Sequence, residues 1–236
     1  MSRHLPTGRR ALSALCCALL TATGSFACGP DTEARWDEFL DESDPERQEA
    51  QAAAEQQASC DGDPCTNCDI SGYHLVGLET LLGPDLPIQF MTQVTVNGGT
   101  ADFSFQPLSL GVGVVDTPRE EVGDPIVVTG VDISTGIFTI DFGEVTVTGM
   151  ANPISGGDIL ATIVLDGRIL SDDAWAGAVT GMATQPVAAD LTGSTFGALR
   201  VADPADRPDF PCDTTMSPLV CYTTCSDLLG LIGEGE

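Results

Sequence analysis

The residues of this chain best equipped for chemistry are its cysteines, which fall in two groups. Cys60, Cys65 and Cys68 form the first, and Cys212, Cys221 and Cys225 the second. Thiols can bridge, bind a soft metal or exchange electrons. Cys65 and Cys68 with Cys221 and Cys225 would make a four-thiolate zinc set. Cys65-x-x-Cys68 alone has the spacing of a redox pair, but no βαβ pattern surrounds it. Disulfides are the leading expectation, because the chain opens like an exported protein. Parity then applies. Each group holds an odd number of thiols, so neither can pair completely within itself. If all six are bridged, one or three disulfides join the groups and clamp the segment between them. The full connectivity stays open.

Around the first cysteines, Asp61, Asp63, Asn67 and Asp69 present oxygen ligands at near-EF-hand spacing. Counted from Asp61, Gly72 stands where the bidentate glutamate belongs, and Thr66 where the glycine belongs. An acidic, disulfide-tied turn is the plainer expectation, calcium is the alternative, and no other cofactor is expected. Asp172-Asp173, and Asp141 with Glu144, are candidate carboxylate pairs. A glycosidase needs its two carboxylates at a set separation, whereas adjacent strand residues point to opposite faces. His74 is the only histidine after His4. No Gly-x-Ser-x-Gly elbow accompanies it, so a polar strand or loop-facing residue is expected there. No catalytic residue is assigned.

Composition narrows the classes further. The 236 residues include 35 acidic and 9 basic side chains, for a net charge of −26. Every basic residue is Arg. A chain this acidic does not grip a phosphate backbone, so nucleic acid is excluded as a partner. Without Lys there is neither a Schiff base nor a P-loop lysine. Hydrophobic residues make up 42%, enough for one packed body.

The N-terminus carries Arg3, Arg9 and Arg10, then an uncharged stretch from Ala11 to Ala27. At 17 residues it is shorter than the roughly 20 of a membrane span. Residues 1–27 therefore read as an export signal peptide. Ser25-Phe26-Ala27-Cys28 resembles a bacterial lipobox, with Ala27 at its favoured last position and departures at Ser25 and Phe26. The resemblance implies lipidation of Cys28. Cysteine arithmetic agrees: with Cys16 and Cys17 in the leader and Cys28 acylated, six of the nine remain to pair. Gly29 after the cysteine implies, by the same resemblance, an outer-membrane or cell-surface lipoprotein held by several acyl chains. Simple secretion after cleavage at Ala27 is the alternative. Residues 28–59 read as an acidic, lipid-anchored and partly helical stalk. Ser43 and Glu46 form a capping box there, and Trp36, Phe39 and Leu40 offer a small apolar face.

From 60 to 236 the periodicity becomes two. Ile88, Phe90, Thr92, Val94 and Val96 alternate with Gln89, Met91, Gln93 and Thr95. Asn97-Gly98-Gly99 makes a hairpin turn into Ala101, Phe103 and Phe105. Further strands are expected over 73–80, 126–133, 137–148, 159–170, 175–184 and 196–202. Gly143 and Asp166-Gly167 read as bulges or tight turns. No helix lies between consecutive strands, so parallel pairing is disfavoured. The expected fold is all-β, an antiparallel meander of about eight strands, a barrel in preference to a sandwich. Gly72-Tyr73 on the first strand and Arg200 on the last are similar to the lipocalin and calycin pattern of a Gly-x-Trp opening and a late basic residue. That resemblance implies an up-and-down barrel. Trp175 to Gly181 and Gly193 to Phe196 resemble predicted lipoproteins of the myxobacterial type, a resemblance that implies an exported lipoprotein and brings no activity with it.

The expected function is that of a cell-envelope lipoprotein acting as a non-catalytic binding or structural module. Its partners would be the membrane through the anchor, and an envelope protein or small apolar ligand. A barrel carrier of such a ligand is the first alternative, its lumen opened by Ala174, Ala176, Gly177 and Ala178. A hydrolase using acidic residues is the second. Leu228, Leu229, Leu231 and Ile232 would cap one end of the body or contact another protein.

Overall fold

Strand alternation dominates the chain because β-branched and aromatic residues recur at every second position between turn residues. The computed structural model describes residues 63–109, 119–205, 207–213 and 220–233. The expected signal peptide 1–27, the stalk 28–59, Cys28, Cys60 and Asp61 lie outside these residues. The strands are β1 (Gly72–Thr80), β2 (Gly83–Asn97), β3 (Thr100–Pro107), β4 (Ile126–Asp132), β5 (Ile137–Val147), β6 (Ile159–Ile169), β7 (Ala174–Gln185), the short β8 (Ala189–Asp190) and β9 (Ser194–Arg200). They form one nine-stranded sheet in the order β4-β3-β2-β1-β9-β7-β6-β5, with β8 on the edge of β7. Every pairing is antiparallel.

Taken as a ring, that order is an up-and-down barrel. Each long strand neighbours its predecessor, and the last, β9, pairs with β1. The one sequential pair without a ladder is β4 and β5, which touch across a turn at 133–136. Side chains link β5 to the strand beyond β4 from inside: Phe138 of β5 stacks on Phe103 of β3 with ring centroids 5.9 Å apart. Gly143 is a bulge within one long β5, with a φ of 65° and a register shift against β6. Asp166-Gly167 lies in unbroken register and is neither bulge nor turn.

The interior is filled at its waist by Trp175, which is fully buried. Its ring lies 5.7 Å from Phe138, 5.7 Å from Phe196, 5.8 Å from Phe103 and 6.4 Å from Phe105, each edge-on. His74 meets the same indole at 5.9 Å.

One end of the barrel is closed. The Cys65–Cys68 loop lies across it, with the Cys65 N–H donating to the Ile169 carbonyl at 2.9 Å. Gly136 must be glycine there, since its φ is 73° and a Cβ would sit 2.6 Å from the Cys65 oxygen. Arg200 latches the same end. Its Nη1 donates to Ser71 O at 2.5 Å, and its Nη2 to Asp69 O at 2.7 Å and Asp172 O at 2.5 Å. Its Nε donates to Asp173 Oδ1 at 2.6 Å. The first strand and the β6–β7 turn are thereby tied through one guanidinium, whose planar fork suits several acceptors.

A C-terminal strap covers the outer flank. It contains β10 (Cys212–Asp213), β11 (Val220–Cys221) and α1 (Cys225–Gly233). Gly77 and Gly197 are register partners on the outer face. A Cβ on Gly77 would lie 2.7 Å from the Phe210 ring, and one on Gly197 would lie 2.7 Å from Tyr222 O. The missing side chains are what let the strap lie down. Buried Arg119 donates to Ser109 O at 2.8 Å and pairs with Asp209, tying a second loop to the strap. Leu228 is buried with Cys225 against Ala176. The helix therefore packs on the flank of β7 and does not cap an end, as the sequence had suggested.

Two disulfides are local: Cys65–Cys68 and Cys212–Cys221. The four-thiolate zinc set is not assembled, because these sulfurs are joined to each other. Cys225 is also disulfide-bonded. Its partner lies outside the described residues; of the six cysteines expected to pair, Cys60 is the one left over. A Cys60–Cys225 bridge would close a loop of about 165 residues, worth about 5 kcal/mol on the chain-entropy model. Non-reducing peptide mapping should find the two local bridges and a single cross-link joining Cys60 to Cys225. Trp175→Ala should lower unfolding free energy by about 3–5 kcal/mol in denaturant titration, the usual cost of emptying a large aromatic site.

Candidate functional site

At the end opposite the Arg200 latch, the strands enclose an open cavity of about 230 Å³. Leu78 of β1, Ile88 of β2, Ile163 of β6 and Leu191 beyond β8 wall it, and all four are buried. Phe90 makes the floor. Its ring meets Phe105 edge-on at 6.2 Å, and Phe105 in turn meets Trp175. The cavity is thus bounded below by the same aromatic cluster that fills the waist.

The space itself comes from two methyl groups. Ala161 of β6 and Ala183 of β7 are register partners, and both line the cavity. Partner side chains on one face stand about 5 Å apart, so two adjacent wall positions carry alanine where branched residues would fill the lumen. The small residues expected to open the barrel do not do so. Trp175 and Val179 take the inside of β7, and alternation puts Ala174, Ala176 and Ala178 on its outer face. Ala176 lies under the helix, and Gly177 sits in register between Gly167 and Phe196.

Loops fix the mouth. Asn152 is buried and fully used: its Nδ2 donates to Ser155 Oγ at 2.8 Å and Gly157 O at 2.7 Å. Its Oδ1 accepts the Ile154 N–H at 3.0 Å and the Ser155 N–H at 3.3 Å. The 149–158 loop so held places Ile154 against Gly83, where a Cβ would come within 2.6 Å of Ile154 Cγ1. Asp158 Oδ1 accepts the Gly149 N–H at 2.7 Å and closes the loop at its base. The cavity lining holds no carboxylate, guanidinium or imidazole. Thr80, Asn152, Ser155 and Gln185 are its polar members. Such a surface solvates an apolar molecule and offers no group to transfer a proton. For scale, a cavity of about 150 Å³ lined by aliphatic and aromatic side chains holds benzene.

The residues singled out for chemistry lie elsewhere. Asp63 and Asn67 are exposed beside the Cys65–Cys68 bridge at the closed end. Asp69 Oδ1 accepts the Ser71 N–H at 2.9 Å, and the hydrogen bonding from Ser71 holds its carboxyl below the usual range. Asp61, the first member of the expected calcium set, lies outside the described residues. Among the described residues no group of three His, Cys, Asp or Glu converges as metal ligands. Asp172 Oδ1 accepts the Asp69 N–H at 2.7 Å, Asp173 takes Arg200, and Asp141 Oδ1 accepts the Gly143 N–H at 2.7 Å. These three carboxylates serve turns and the latch. A hollow at the closed end, of about 310 Å³, lies between the Cys65–Cys68 loop and the turns at Gly98-Gly99 and Ser134, with no ionisable group in its lining apart from the bridged cysteines.

His74 is neither exposed nor loop-facing. It is fully buried against Trp175, and neither ring nitrogen has a hydrogen-bond partner among the described residues. Burial, then the nearby Arg200 charge, pushes its pKa down to about 4. The folded protein therefore holds it neutral, while the unfolded chain takes up the proton near pH 6.5. Stability tied to the neutral ring is present above pH 6.5 and is lost as pH falls towards 4. Denaturant titration should show wild type losing about 2–3 kcal/mol more than His74→Gln between pH 7 and 4.5. Equal losses would mean that His74 is not dry and neutral.

Ala161, Ala183, Phe90 and Leu191 went unremarked as site residues in the sequence. Their only signal is an alanine at an inward strand position, which register alone can reveal. No family model, curated protein or solved structure matches the chain.

Proposed function

We propose that this protein is a non-catalytic binding protein that holds a small apolar molecule in the open mouth of its barrel. One observation carries the reading. An apolar cavity, open to solvent and free of ionisable lining, is created by the Ala161–Ala183 pair above an aromatic floor. Pockets of this kind bind chiefly through apolar area, with a few polar groups setting orientation. Within the broader class of envelope binding modules, the carrier reading is favoured over a purely structural role, because a structural barrel gains nothing from an unfilled mouth. Among the described residues, Asp141, Asp172 and Asp173, the carboxylates the hydrolase reading would draw on, serve turns and the Arg200 latch. The Cys28 anchor and an outer-membrane or cell-surface location complete the proposal and rest on the leader sequence.

The test is saturable uptake of a neutral fluorescent probe, N-phenyl-1-naphthylamine. Wild type should bind it with a defined stoichiometry. Ala161→Phe and Ala183→Phe should each weaken uptake at least about tenfold, a loss of about 1.4 kcal/mol of binding free energy, while still melting cooperatively. Equal uptake by wild type and both filled variants would sink the reading.

A further inference from the structure

The mouth carries a second feature that the binding reading does not use. Among the described residues, nine large hydrophobic side chains are exposed. Five of them, Leu81, Leu82, Leu86, Met150 and Val187, lie in the loops and strand ends that surround the cavity, between 42% and 66% exposed. Leu82 and Val187 also line the cavity itself, so rim and lumen form one continuous apolar surface. The closed end is the opposite: it carries Asp63, Asp69, Asp132, Asp172 and Asp173. A contiguous apolar patch of this kind marks a contact surface.

Charge selects what that surface meets. The rim segments 81–87, 149–158 and 185–193, which include the start of β2 and the short β8, contain no Arg. They carry three carboxylates, Asp85, Asp158 and Asp190, of which Asp158 accepts the Gly149 N–H and Asp190 the Thr192 N–H. A basic partner would find its attraction at the closed end. A second copy would bring another charge of −26, and an anionic surface is repelled for the same reason. A net-neutral bilayer opposes neither, and apolar side chains on a surface structure bury themselves about 5–10 Å into its interface.

We infer that the mouth is a membrane-contact surface: Leu81, Leu82, Leu86, Met150 and Val187 enter the interface of a zwitterionic bilayer. Resting on the proposed binding function, the contact lets an apolar ligand move between acyl chains and cavity without crossing water. The inference is tested by flotation of residues 28–236 carrying Cys28→Ser, so that neither the leader nor an acyl anchor contributes. The protein should float with phosphatidylcholine vesicles and float less with vesicles containing phosphatidylglycerol. Leu82→Asp with Val187→Asp should reduce flotation at least about tenfold, whereas Val127→Asp, on the exposed flank of β4, should not. No flotation, or equal flotation of wild type and the rim variant, overturns the contact. A concentration-dependent dimer in sedimentation velocity that the rim variant abolishes overturns it in favour of a second copy. Probe uptake by the same proteins separates the two readings. Uptake without flotation removes the membrane contact alone, and flotation without uptake removes the ligand passage while the contact stands.

Discussion

A sheet rolled into a ring encloses a volume that must be filled, and in this barrel a single indole sets how. Small barrels are solid because inward side chains meet across the axis. Trp175 meets four phenylalanines there, drawn from β3, β5 and β9, and with them His74 from β1. The stack of Phe138 on Phe103 ties β5 to β3, beyond the β4 edge with which β5 shares no ladder. Closure thus depends on packing at the waist as much as on backbone hydrogen bonds. The solid waist also separates the two ends, one tied by Arg200 and a disulfide loop, the other open.

The outer layer follows from what the sheet leaves out. Gly77 and Gly197 lie side by side on the outside, and Phe210 and the Tyr222 backbone occupy the space where side chains would stand. Arg119 and the Cys212–Cys221 bridge hold that strap in place. The strap covers one flank and the Cys65–Cys68 loop covers one end. Among the described residues neither reaches the mouth, where the apolar rim is exposed.

The fold was largely legible because alternation is a local signal. Eight long strands, their hairpins and the barrel follow from period-two runs and turn residues, and the bulge at Gly143 was among the readings offered for it. Gly72 and Arg200, far apart in the chain, do meet: a Cβ on Gly72 would lie 2.8 Å from Arg200 Nη1. The site was not legible. Which alanines open a lumen depends on which face each strand turns inward and on what lies across the axis. Ala176 and Ala183 look alike in the sequence, yet one lies under a helix and the other in the cavity wall. The C-terminal helix was misplaced for a related reason. Its apolar face was evident, but the small residues that receive it are spread over strands far apart in the chain.

The Ala161–Ala183 pair works as a gauge whose setting is independent of the body that carries it. Both positions lie on the mouth side of Phe90, beyond the rings that hold the barrel closed. Enlarging either side chain shortens the lumen, and removing a methyl deepens it, while the waist, the latch and the strap are untouched. Lineages descending from this chain could therefore diverge in what they hold by single-residue steps at two neighbouring wall positions. A barrel whose pocket ran through its whole core would have to rebuild its stability with each such change.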